Sequence, residues 1–262
     1  MQRTRGAGKL RALNFYPGIT PLDYAIALFS AFCLGFSKAG FPGLALVNVM
    51  IMAELFGAKQ SVGIILPLLI AADLTVYPLF RRYASWRQVW PLLLPSFVGI
   101  VVGHRLLGSI DNLTARRVLG GILLLMLGLQ WVRVHRQEFL SRLPNSRAFF
   151  WGSGLTIGVS TMMANAAGPV FSIYALVHQL SKTDFLGIGA RTFLILNLVK
   201  VPFMADLDII NLQSLKVDVA LLPGTFLGIF AGYRLITRIP QRIFELLLYL
   251  FTLISGIRLL CF

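Results

Sequence analysis

An ammonium inside an apolar segment costs about 2.5–3.5 kcal/mol at the centre of a membrane helix, so it persists only beside a partner, a cavity or an interface. Lys38 is such a residue. It sits in GFSKAGFPG at 35–43, beside Ser37, Gly40, Pro42 and Gly43. Small residues let backbone amides converge on one spot, and exposed amides at helix starts bind anions, to which a lysine adds a full positive charge. The competing reading has Lys38 end its segment and snorkel to water. A second break, GVSTMMANAAGP at 158–169, lacks a lysine but offers Ser160, Thr161 and Asn165 ahead of Gly168 and Pro169. These hydroxyl and amide donors suit oxyanion oxygens, or else they are the small polar residues enriched where membrane helices touch.

Asp73 and Asn197 lie near the middle of two long apolar segments, 60–80 and 185–204. A carboxylate at that depth either pairs with Lys38 or is protonated and couples ion movement. Asp184 and Arg191 share a helix face and read as a structural ion relationship. Lys200, near the end of its segment, reads as an interface marker. His104, His135 and His178 are isolated, so neither a metal site nor a cofactor is expected. No nucleophile and base fall together, so no catalytic residue is expected and an intramembrane transferase lacks a site.

The elements that must carry these residues are helices in lipid. Of 262 residues, 57% are hydrophobic and only 13% charged, where a soluble domain carries about a quarter charged residues. Open strands in a bilayer would leave backbone groups unpaired. The net charge of +14 gathers between apolar segments, which reads as orientation in the membrane and argues against a nucleic-acid partner. Residues 1–20 read as an uncleaved, basic cytoplasmic tail.

The chain also reads as duplicated. Gly63, Asp73 and Pro78 recur as Gly187, Asn197 and Pro202, and Gly99, Gly103 and Arg105 recur as Gly228, Gly232 and Arg234. The expected architecture is an all-α, polytopic bundle of two repeats, 21–134 and 148–262, joined by a basic connector at 135–147, each repeat holding an interrupted or re-entrant helix pair. Interrupted membrane helices point to a binding site, because unwound backbone is tolerated only where it lines a cavity. A non-transporting scaffold or receptor has no need of them. If one segment of each pair fails to cross, eight crossings place 14 Lys and Arg inside and 10 outside, in line with the positive-inside tendency. Ten crossings, which would invert the repeats, remain the alternative.

GFSKAGFPG followed by ILPLLIAADL, and STMMANAAGP followed by LSKTDFLGIGARTFLILNLVKVPFM, resemble the sulfite exporter TauE/SafE family of membrane permeases. The resemblance runs from about Pro21 to Leu260. It implies a secondary transporter of the bacterial cytoplasmic membrane, with the lipid bilayer and a small inorganic or organic sulfur-containing anion as its partners. Ala39, Pro42, Leu44, Asn165 and Ala167 depart from the commoner pattern, which bears on the substrate more than on the fold. The expected binding residues are Ser37, Lys38, Gly40, Gly43, Ser160, Thr161, Asn165 and Gly168, with Asp73 and Asn197 as coupling or structural polar groups.

Overall fold

The computed structural model describes residues 19–39, 44–83, 85–144, 146–235 and 241–261. All regular structure among them is helical: α1 Pro21–Lys38, α2 Leu44–Phe56, α3 Ala58–Phe80, α4 Trp86–Ser109, α5 Asn112–His135, α6 Gln137–Ser141, α7 Arg147–Ala164, α8 Gly168–Val177, α9 Lys182–Asp206, α10 Leu212–Leu235 and α11 Gln241–Cys261. Five of them, at 58–83, 86–109, 112–135, 183–206 and 212–235, are long and apolar enough to cross a membrane. The protein is therefore a multi-pass membrane protein. The basic tail expected over 1–20 lies almost entirely outside the described residues. The connector expected at 135–147 contains α6, whose Leu140 is buried against Ile173 and Val177 of α8.

Local chemistry sets the helix starts. Thr20 caps α1 through a reciprocal box with Asp23, and Pro21 follows at the first helical position, where its missing N–H would have had no acceptor in any case. Asp111 caps α5, Ser146 caps α7 and Ser181 caps α9. α7 stops at Asn165, whose φ of 52° is left-handed; Asn tolerates that region better than most residues with a Cβ. The 13 residues of α2 and the 10 of α8 rise only about 20 and 15 Å, short of the roughly 30 Å hydrocarbon core. Ala39 at the end of α1 is buried, as are Asn165, Ala166 and Ala167 between α7 and α8. α2 is fastened to α1 by Asn48, whose Nδ2 donates to the Ser30 carbonyl at 3.0 Å and to its hydroxyl at 2.8 Å.

Glycines fix how the long helices run. Gly224 of α10 meets Leu28 of α1, Gly228 meets Phe32, Gly232 meets Phe36, and Gly35 lies against the Thr225 carbonyl. Residue numbers climb together, so α1 and α10 are parallel. The α4–α7 face has the same design: Gly154 meets Pro95, Gly158 meets the Ser96 carbonyl and Gly103 meets Met162. A Cβ at Gly35 or Gly158 would overlap a facing backbone oxygen, so only glycine permits these approaches. Gly99 and Gly103 on one face and Gly228 and Gly232 on the other thus do the same work.

α3 and α9 run in opposite directions, since Gly63 meets Ile209, Asp73 meets Asn197 and Arg191 bonds to the Arg81 carbonyl. Eight crossings would make α3 and α9 parallel, so that expectation is corrected. The register fits the ten-segment alternative, in which α2 and α8 each carry the chain back. The charge count favours eight crossings even with Lys200, which is completely buried, left out of it, so it is the packing of α3 on α9 that overturns that expectation.

Candidate functional site

The crossing of α3 and α9 positions the central pair. Asp73 and Asn197, 124 positions apart, face each other there, and Asn197 Nδ2 donates to Asp73 Oδ2 at 2.7 Å. α1 ends beside them. Lys38 in its last turn donates from Nζ to Asp73 Oδ1 at 2.5 Å, with side-chain exposures of 18% and 3% for the two partners. The same Nζ lies 5.3 Å from the centroid of the Phe193 ring, close enough for a cation–π attraction. Asp73 thus pairs with Lys38, the first of the two readings open for the carboxylate.

One turn beyond Asn197 on α9, Lys200 reaches the second break. Its Nζ donates to the Thr161 carbonyl at 3.0 Å, to Thr161 Oγ1 at 3.1 Å and to Asn165 Oδ1 at 2.5 Å. An ammonium has three N–H donors, and all three are used. Asn165 in turn donates from Nδ2 to the Val62 carbonyl of α3 at 2.9 Å. The break between α7 and α8 is therefore tied to both central helices. The interface role expected for Lys200 is corrected. Its signal in the sequence was the position of Asp206 and Asp208, which place the true end of α9 well past the lysine.

A cavity of about 120 Å³ opens between these groups, several times the space one water needs. Ser37, Lys38 and Asp73 line it from the first half of the chain, and Thr161, Asn165, Gly168 and Asn197 from the second. Phe80, Phe171, Phe185 and Phe193 contribute aromatic rings to the wall, beside smaller apolar residues such as Leu69, Val76 and Leu186. Phe171 stacks on Phe185 at 5.1 Å and meets Phe193 edge-on at 5.3 Å. α8 begins at this wall with Gly168. Amides at the first positions of a helix have no intrahelical acceptor, so the partly positive end of α8 points at the lysine-bearing cavity.

The remaining expectations divide. Ser160 is buried but does not line the cavity; its hydroxyl donates to the Thr156 carbonyl at 2.7 Å. Ser37 lines it, yet its hydroxyl donates back to the Leu34 carbonyl at 2.6 Å. Gly40 and Gly43 lie outside the described residues. Arg191 does not pair with Asp184: it bonds to the Arg81 carbonyl and stacks over Trp86 at 4.8 Å, while Asp184 accepts from its own cap, Ser181. No cluster suited to a metal ion occurs among the described residues.

A family model described as sulfite exporter TauE/SafE matches residues 27–259. No curated protein and no solved structure matches the chain.

Proposed function

The chain belongs to the sulfite exporter TauE/SafE family, and from that premise we propose that it carries sulfite, an organosulfonate or a related small sulfur-containing anion across the bacterial cytoplasmic membrane. The observation that supports this most is the cavity where the end of α1 and the α7–α8 break meet the α3–α9 crossing, walled by Lys38 and by the start of α8. A cation and free amides converging in a low-dielectric space attract an oxyanion strongly. The ion pair with Asp73 stabilises Lys38 while the cavity holds no anion, and an arriving anion competes with Asp73 for the ammonium.

Movement of the anion follows alternating access between two inverted halves. The halves are α1–α5 and α7–α11, and their packing is reciprocal: the first helix of each lies parallel to the fourth helix of the other. Two residues related by a two-fold axis can touch only on that axis, and Asp73 with Asn197 fits this condition. Because α3 and α9 are antiparallel, the axis lies in the plane of the membrane, as in inverted-repeat transporters. Rocking about it would expose the Asp73 level to each side in turn.

The test is flux in liposomes. Purified protein moves sulfite or a short sulfonate down its gradient, and Lys38→Ala lowers the rate at least tenfold, by loss of a charge-assisted contact worth about 1.5–3 kcal/mol. Flux equal to that of the unsubstituted protein would remove Lys38 from the site.

A further inference from the structure

We infer that Lys200 sets the charge of the substrate: without donating to the anion, it fixes the chamber at one net positive charge, so that the site takes singly charged oxyanions in preference to doubly charged ones. The inference rests on the transport reading above and narrows its substrate class.

Three ionisable side chains govern the chamber. Lys38 and Asp73 stand in its wall, and Lys200 is bonded to two wall residues, Thr161 and Asn165. Two cations and one carboxylate leave one positive charge over. Arg191, the next cation along α9, is bonded to the Arg81 carbonyl and faces Trp86, outside the cavity wall. A singly charged anion neutralises the excess. A doubly charged anion leaves one uncompensated negative charge beside four phenylalanine rings, where burial of unpaired charge is costly.

The two lysines divide the work by how many donors each has left. Lys38 gives one N–H to Asp73 and keeps others for a ligand. Lys200 has none to spare. With Thr161 Oγ1 accepting from Lys200, the threonine O–H is left to donate, and it lies in the cavity wall. Lys200 is therefore a positioning residue: it orients the Thr161 hydroxyl and the Asn165 amide while contributing a fixed charge.

The measurement compares methanesulfonate, permanently a monoanion, with sulfate, a dianion, as competitors of sulfite flux in proteoliposomes at one pH. The unsubstituted protein prefers methanesulfonate by at least about tenfold, from one charge interaction at an effective dielectric near 20. Asp73→Asn raises the chamber to two positive charges and shifts the ratio at least about tenfold toward sulfate. Lys200→Met weakens methanesulfonate, and Lys200→Met with Asp73→Asn returns the original preference because the net charge is restored. A merely structural lysine would not produce that rescue. Lys200→Arg, which keeps the charge and breaks the geometry, retains the ratio at lower absolute affinity and serves where the methionine variant fails to fold. Sulfate competing as well as methanesulfonate, or a ratio unmoved by Asp73→Asn, overturns the inference and leaves the transport reading standing. Competition by neither anion, with no sulfite flux to compete for, overturns both.

Discussion

Removing Lys38 separates its part in stability from its part in binding. Its ammonium is 2.5 Å from Asp73, and the carboxylate is 3% exposed. Breaking a buried pair by deleting one partner typically costs 3–5 kcal/mol, since the survivor keeps its desolvation penalty and loses its compensation. At 18% exposure Lys38 has some contact with water, so Lys38→Met belongs at the lower end, about 3 kcal/mol. Asp73 would retain only its bond from Asn197. Replacing Asp73 as well, by Asn, removes the uncompensated charge and keeps a polar partner for Asn197. The double variant should therefore regain most of the loss, giving a coupling of about 2 kcal/mol between residues in direct contact. The assay is a double-mutant cycle read by SDS titration in mixed micelles, with sulfite flux measured on the same four proteins. Stability returns in the double variant and flux does not. A double variant as unstable as Lys38→Met refutes the energetic argument, and one that transports like the unsubstituted protein refutes the binding role.

The glycine contacts give a matched pair of expectations: Gly35→Leu and Gly158→Leu each drive a side chain into a backbone oxygen of the facing helix. Each lowers stability by about 1–3 kcal/mol or more, and a cysteine cross-link from α1 to α10, or from α4 to α7, forms more slowly in the corresponding variant; unaltered cross-linking would show that the helices do not approach as described. At the start of α5, the Thr114 side chain and amide hydrogen-bond to Asp111 and hold its carboxyl below the usual value of 3.8. Because the folded-state value is the lower one, the stabilisation is fully present well above 3.8 and is lost progressively as pH falls from there through the lower folded-state value. Unfolding midpoints from about pH 6 to about pH 3 should show this loss in the unsubstituted protein and less of it in Asp111→Asn, which keeps a cap acceptor without a titrating charge.

Much of the architecture was legible because membrane helices obey few rules. Apolar runs located the long helices, and the paired breaks located the cavity. The offset that relates Asp73 to Asn197 joined two residues that proved to be in contact. What sequence arithmetic could not resolve was direction. Loop charges favour eight crossings whether or not Lys200, wholly buried between Thr161 and Asn165, is counted, and only the contacts between α3 and α9 show that the two helices run in opposite directions. Arg191 failed for a related reason. Spacing places Asp184 and Arg191 on one face, but Ser181 at the helix start claims the aspartate first, because a cap acceptor is local in the chain and a partner two turns away is not.

The scaffold is reciprocal and the chemistry on it is not. On aligning GFSK at 35–38 with GVST at 158–161, Lys38 falls opposite Thr161, while the 124-residue offset that relates Asp73 to Asn197 places Lys200 opposite Val76. In the first half the cation is on the interrupted helix and its acceptor on the long one; in the second the cation is on the long helix and its acceptors on the interrupted one. Each break is thus held to its central helix by a lysine, but only Lys38 keeps donors free for a ligand. On the proposed reading, with Asp73 held between Lys38 and Asn197, an anion would meet one available cation and a built-in competitor for it, so that its binding would be reversible, as a carrier requires.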